Sequence, residues 1–156
     1  MSTSISGRVK ELGLTLPKAG APAANYVPFV VTGNLVFFAG QICQWEGERR
    51  YIGKLGATIS VEDGVAAAQL CGLNLLAWLA EVVKDDFDRV TRCVRLGGFV
   101  NSVPSFVEQP RIVNGCSDLM VNVFGDKGRH ARTAVGTNVL PFDVAVEVEG
   151  IFEIRT

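Results

Sequence analysis

The chain has 156 residues, with 15 Lys and Arg against 16 Asp and Glu, a single His and a net charge of −1. Hydrophobic residues make up 48% and charged residues 20%, the balance of one packed domain rather than of a disordered chain. That near-neutral balance excludes a protein held to nucleic acid mainly by charge. No uninterrupted apolar run of about 20 residues suggests a membrane span, and the polar start MSTSISGRVKELG lacks a secretory h-region. A single cytoplasmic domain over 1–156 is the expectation.

Residues 1–25 mix Gly, Pro and Ala with a few charges and read as an irregular N-terminal arm. VPFVV at 27–31, the pair Gly33-Asn34 and LVFFAGQI at 35–42 predict a β-hairpin. The continuous apolar run in its second strand predicts burial on both faces. QWEGERRYIGKLG at 44–56 reads as a surface loop or second turn. Ser60 followed by Asp63 marks a helix start, and Ala68, Cys71, Leu75, Leu79 and Val82 form the apolar stripe of a helix from Val61 to about Lys84.

Residues 90–101 predict a strand in which Gly97-Gly98 marks a bulge or a close backbone approach. Pro110 suits the first turn of a second helix. Its stripe runs Ile112, Val113, Cys116, Leu119, Met120, Val123 and Phe124, and Gly125 ends it. Asn114, Ser117, Asp118 and Asn122 fall off that stripe. ARTAVGTN at 131–138 and VAVEVEGIFEI at 144–154 read as the last strands. In the second of these, Val144, Val146, Val148, Phe152 and Ile154 share one face and Glu147, Glu149 and Glu153 the other. The order β-β-α-β-α-β-β predicts an α+β fold, a sheet with two helices on one face.

Cys43, Cys71, Cys93 and Cys116 are spaced far apart, with no Cys-x-x-Cys pair, and read as buried, reduced and inert thiols rather than metal ligands. Neither phosphate-binding glycine loop occurs. The one His, far from a plausible Ser–Asp pair, argues against a hydrolase triad. What remains is Arg132 in HARTAV, with glutamates on what read as neighbouring C-terminal strands. The small residues Ala134 and Gly136 on its face leave room for a planar carboxylate held by two parallel hydrogen bonds. A surface arginine paired to a glutamate, and a solvated face at Glu147 and Glu149, are equally compatible with the pattern. His130 reads as a turn residue without a role, or as a group titrating near neutrality.

AGQI at 39–42, HARTAV at 130–135, LP at 140–141 and VEVEGI at 146–151 follow the order and spacing of the RidA family, also called the YjgF or endoribonuclease L-PSP family. Asn25-Tyr26 and Val113-Asn114 resemble two further segments. The resemblance runs from about residue 20 to 155. It implies a chorismate-mutase-like fold, a homotrimer with clefts between subunits, and hydrolysis of reactive enamine or imine acids such as 2-aminoacrylate to 2-keto acids and ammonia, with no metal or organic cofactor. Carried over singly, the carboxylate-binding arginine falls on Arg132 and the water-positioning glutamate on Glu147. Substrate-binding positions fall on Tyr26, Gly40, Asn114 and Ala134. Ala39, His130, Val27 and Ala134 depart from common family residues and imply a divergent branch. The expected partner is a small carboxylate, with neither nucleic acid nor membrane. A carboxylate-binding regulator without turnover, a deaminase of a larger enamine acid from aromatic breakdown, and an RNA-cleaving enzyme are the alternatives, the last opposed by the charge.

Overall fold

The computed structural model of the protein describes residues 1–21 and 24–156; Pro22 and Ala23, part of the expected arm, lie outside the described residues. The arm is not wholly irregular. Ser4 caps a short helix, α1 (Ile5–Glu11), by accepting from the Gly7 amide, and Ile5 and Val9, one turn apart, are fully buried. The Ser6 amide donates to the Asp85 carboxylate at 2.9 Å, tying α1 to the far end of the next long helix. The cap and the apolar pair at i and i+4 were present in the sequence, but the Gly- and Pro-rich stretch after them masked the signal.

The hairpin forms as the turn pair requires. β1 (Phe29–Thr32) and β2 (Leu35–Ile42) pair antiparallel, with Thr32 opposite Leu35 and only Gly33-Asn34 between. A second small hairpin, β3 (Gln44–Trp45) and β4 (Glu48–Arg49), occupies part of the polar segment. α2 (Val61–Val83) starts where Ser60 Oγ accepts from the Asp63 amide at 3.1 Å. β5 (Val90–Asn101), α3 (Gln109–Phe124), β6 (Ala131–Thr137) and β7 (Val146–Ile154) follow.

The sheet order is β1-β2-β7-β5-β6. All its pairings are antiparallel except β5 with β6. α2 and α3 cover one face. Val146, Val148 and Phe152 of β7 and Val36 and Phe38 of β2 meet Leu75, Leu76 and Leu79 of α2 and Ile112 and Met120 of α3 in one core. Phe38 and Phe124 pack edge-on against Phe152, with ring centres 5.8 and 6.1 Å away. Two glycines permit this closeness. A side chain at Gly98 would meet the Val113 methyls at 2.5 Å, and one at Gly115 would strike the Val65 carbonyl of α2. The sequence expectation of a close approach at Gly97-Gly98 therefore holds, while the irregularities of β5 register fall earlier, between Val90 and Arg92 and between Cys93 and Arg95.

Among the described residues the other face of the sheet carries no helix, and this corrects the expectation for β2. Val36 and Phe38 are buried, but Phe37, with Val30 opposite it, is exposed to 41%, because only one side of the sheet has a covering layer. α2 itself is long and apolar enough to cross a membrane, with a mean hydropathy of 1.5. That hydropathy arises because α2 is the core helix, packed against both the sheet and α3.

All four cysteines are buried and unbonded to one another by disulfides. Burial pushes the Cys93 thiol up to about 12 and the Cys71 and Cys116 thiols well above their ordinary range. Cys43, equally buried, differs in that its neighbour Cys71 lowers its thiol to about 7.

Leu79 has no exposed surface. Leu79→Ala should lower unfolding free energy by about 2–5 kcal/mol, the range for an emptied buried leucine site. Denaturant titration checks this, and a midpoint equal to that of the parent would show that the stripe packs elsewhere.

Candidate functional site

The expected site residues fall into two groups. Tyr26, Gly40 and Glu147 line a cavity of about 280 Å³ beside the small hairpin, together with Trp78, Arg49 and Phe142. Glu147 lies on the uncovered face, opposite Ile42 of β2 and Phe99 of β5. Between Phe38 and Gln41 the β2 register slips, so that Ala39 and Gly40 together face Glu149. This bulge places Gly40, the residue without a side chain, beneath the Glu147 carboxylate; a Cβ there would collide with it. Bulges next to sites re-aim side chains in this way. Among the described residues none donates a hydrogen bond to that carboxylate. Burial, with the neighbouring Glu149 charge adding to it, pushes its proton affinity above the ordinary 4.5. A half-buried carboxylate open to a cavity and raised toward neutrality suits proton transfer to and from a water.

Arg49 has its guanidinium 3.4 Å from the centre of the Phe142 ring. Phe142 holds a left-handed backbone with φ 59°, an uncommon state for a bulky residue. The next residue pins it there: Asn101 Nδ2 donates to Asp143 Oδ1 at 2.9 Å and the Gly53 amide to the Asp143 carbonyl at 2.7 Å.

The second group lies elsewhere. Arg132 is on the edge strand β6, in register with Leu96 of β5 and through it with Gly150 of β7, which places it on the helix-covered side. Its Nη1 donates to Asn114 Oδ1 at 2.8 Å and to Ser117 Oγ at 3.2 Å. Asn114 and Ser117 sit one turn apart on α3. Ala134 follows on the same face of β6, packed against the core. The expectation of glutamates beside Arg132 on a neighbouring strand is thus corrected: β5 lies between β6 and β7, and strand alternation sends Arg132 and Glu147 to opposite faces.

Two residues of this second group were not foreseen. Ser117 Oγ is 2.9 Å from His130 Nε2, and His130 Nδ1 is 2.6 Å from the Gly128 carbonyl. The distance of His130 from a serine in sequence was misleading, because the turn Gly125–Gly128 folds the start of β6 back along α3. Ser117 did carry a signal, a polar residue off the apolar stripe at i+3 from Asn114. Burial and the Arg132 charge hold the imidazole below its usual value, so it is neutral at neutral pH. Among the described residues no group of three or more His, Cys, Asp and Glu could hold a metal ion.

An antiparallel-dominated sheet with two helices on one face, an arginine at its edge and a glutamate over a glycine bulge on the bare face defines a small α+β class of chorismate-mutase-like fold. Residues 6–153 match the family model described as "YjgF/chorismate_mutase-like, putative endoribonuclease", and the chain belongs to this RidA/YjgF family. It is 45% identical over 160 residues to protein TCP17 of Trypanosoma cruzi, covering 99% of each chain. The crystal structure of Atu1372 from Agrobacterium tumefaciens is 45% identical, with a TM-score of 0.90 over 97% of this chain and 92% of that one. RidA from an Antarctic Psychrobacter shares the fold, with a TM-score of 0.60 at 22% identity over 88% and 94%.

The raised Glu147 affinity has a stability consequence. The folded state binds this proton more tightly than the unfolded one, so the ionised carboxylate is destabilising at neutral pH. The penalty fades as pH falls through the raised value and is gone below 4.5. Glu147→Gln should therefore melt above the parent at about pH 7.5 and no higher at about pH 4, as calorimetry across that range would record. Equal melting at both pH values would mean that the carboxylate is solvated.

Proposed function

We propose that the protein deaminates small enamine and imine acids by hydrolysis, yielding 2-keto acids and ammonia, in clefts assembled between subunits of a homotrimer. The observation that carries this reading is the division of the site: an arginine with a free hydrogen-bonding edge and a raised carboxylate stand on opposite faces of one sheet. Neither half is complete alone. A second copy placed with its β6 edge against the bare face would bring its Arg132 to the cavity of Glu147, Gly40 and Tyr26. The exposed Val30, Phe37 and Val135 on or beside that face are an apolar surface in need of a cover. Three-fold closure would bury it in each copy without leaving an open chain of contacts.

The chemistry asks little of the protein. Protonation of an enamine at carbon gives the iminium, whose carbon is already electrophilic. With Nη1 occupied by Asn114 and Ser117, the Nε and Nη2 edge of Arg132 remains for the substrate carboxylate. Glu147 orients a water and takes its proton as the oxygen bonds to the iminium carbon. The resulting carbinolamine collapses: Glu147 returns its proton to the nitrogen, the C–N bond breaks as the carbonyl forms, and the hydroxyl proton passes through the same carboxylate to the departing ammonia, which leaves as ammonium. Iminium acid and water become 2-keto acid and ammonium, with no oxidant or reductant. Catalysis is positioning plus one proton carried out and back. Four unbridged thiols suit a reducing cytoplasmic setting.

The cavity volume of about 280 Å³ and its Trp78 and Phe142 walls exceed what a three-carbon acid fills, which favours a larger enamine acid as a second reading.

Ammonia release from a panel of enamine acids generated in situ tests the activity. Arg132→Lys keeps the charge and loses the two-point grip, so kcat/KM should fall about ten- to a hundredfold, corresponding to about 1.5–3 kcal/mol. Arg132→Ala should fall further with assembly unchanged. A wild type inert to every enamine while binding 2-keto acids would leave a carboxylate-binding regulator instead. Sedimentation equilibrium should give a trimer, and a stable monomer at micromolar concentration would overturn the inter-subunit cleft.

A further inference from the structure

Resting on the reading of Arg132 as the carboxylate anchor, we propose that Ser117 and His130 are its positioning residues: the imidazole accepts a hydrogen bond from the Ser117 hydroxyl, so that the hydroxyl presents a lone pair to the guanidinium.

Donor and acceptor roles along this chain of atoms leave one arrangement. The Gly128 carbonyl can only accept, so the nitrogen 2.6 Å from it, His130 Nδ1, carries the ring proton. In the neutral ring Nε2 is then an acceptor. Ser117 Oγ, 2.9 Å away, must donate to it. A hydroxyl has one proton and two lone pairs, so Ser117 is left with only acceptor capacity toward Arg132 Nη1 at 3.2 Å. With the other Nη1 proton on Asn114 Oδ1 at 2.8 Å, both protons of that nitrogen are spent. Two anchors one helical turn apart fix the guanidinium plane as well as its position, and its opposite edge is left for a ligand.

Without His130 the Ser117 hydroxyl has a competing use. A serine inside a helix turns its proton back to the carbonyl four residues earlier, here that of Val113, and its rotamer then follows α3 rather than Arg132. The imidazole prevents this. It is held in turn by the Gly125–Gly128 turn and by Arg132 itself, whose positive charge together with burial disfavours a protonated ring. Ser117, His130, Arg132, Arg129 and Asp118 line one open concavity. Arg129 is paired with Asp126 at 3.5 Å, so among the described residues Arg132 is the cation there without a carboxylate partner.

The protein's single histidine makes the arrangement directly observable. In the assembled protein with 15N-labelled histidine, long-range 1H–15N correlation at neutral pH should show the Nδ1-protonated tautomer, the minor form of free imidazole. An Nε2-protonated ring would overturn the proposal. Pyruvate serves as the ligand probe in calorimetry. Ser117→Ala and His130→Phe should each raise its Kd about tenfold, while Ser117→Thr, which keeps the hydroxyl, binds as the parent does. In turnover the loss should appear in KM more than in kcat, because Arg132 grips the carboxylate before and during the reaction. Should His130→Phe fail to fold, the Ser117→Ala and Ser117→Thr pair and the tautomer measurement decide the matter. Pyruvate binding that survives Arg132→Ala would refute the anchor itself. Binding lost in Arg132→Ala yet unchanged in Ser117→Ala and His130→Phe would refute the positioning role alone.

Discussion

β7 runs through the centre of the sheet with β2 on one side and β5 on the other, and its side chains alternate between a packed face and a bare one. Val146, Val148, Phe152 and Ile154 enter the core, while Glu147, Glu149 and Glu153 point away from it. Register is strongly held, because a slip by one residue would drive three carboxylates under α2 and α3 and expose four large apolar side chains. Every other feature of the site inherits this parity. Through the pairing of β7 with β5 and of β5 with β6, the same alternation assigns Arg132 to the helix side. Arg132 and Glu147 are therefore kept apart within the chain by the rule that builds its core.

Local devices then depart from the regular sheet. The β2 bulge at Ala39 and Gly40 sinks the backbone under Glu147, so the carboxylate lies half-buried over a residue with no side chain. The strained Phe142 is held by hydrogen bonds to its neighbour Asp143 and offers its ring to Arg49. Left-handed non-glycine residues of this kind cost about 1–3 kcal/mol each and persist where the surroundings over-determine them. On the other face, α3 supplies Asn114 and Ser117 to Arg132, and the approach of α3 to β5 that permits this depends on Gly98 having no Cβ. Site and core thus share their constraints, and a change in helix packing would move the arginine's anchors.

Much of the fold was legible because its signals are local. Ser60 and Asp63 mark the start of α2, Gly125 the end of α3, and Gly33-Asn34 the tight turn of the hairpin. The apolar stripe of α3 separates core residues from Asn114 and Ser117 without reference to any other part of the chain. Where the signals were diluted, the reading failed. The Gly- and Pro-rich stretch after α1 hides its cap, and the apolar run of β2 predicts two-sided burial although one face is bare. Composition along one strand does not record how many layers cover the sheet.

The sequence by itself determined the elements, their polarity and which face of each is apolar, because these follow from residue spacing and from caps and turns a few residues long. It also carried, through its ordered motifs, the family. Only the tertiary structure decided that β5 separates β6 from β7, that Arg132 and Glu147 look to opposite sides, and that Ser117 and His130 meet across the turn from α3 to β6. Strand order and parity across non-neighbouring strands are long-range quantities. They depend on which edges pair once the core closes, and no spacing within a single element encodes them.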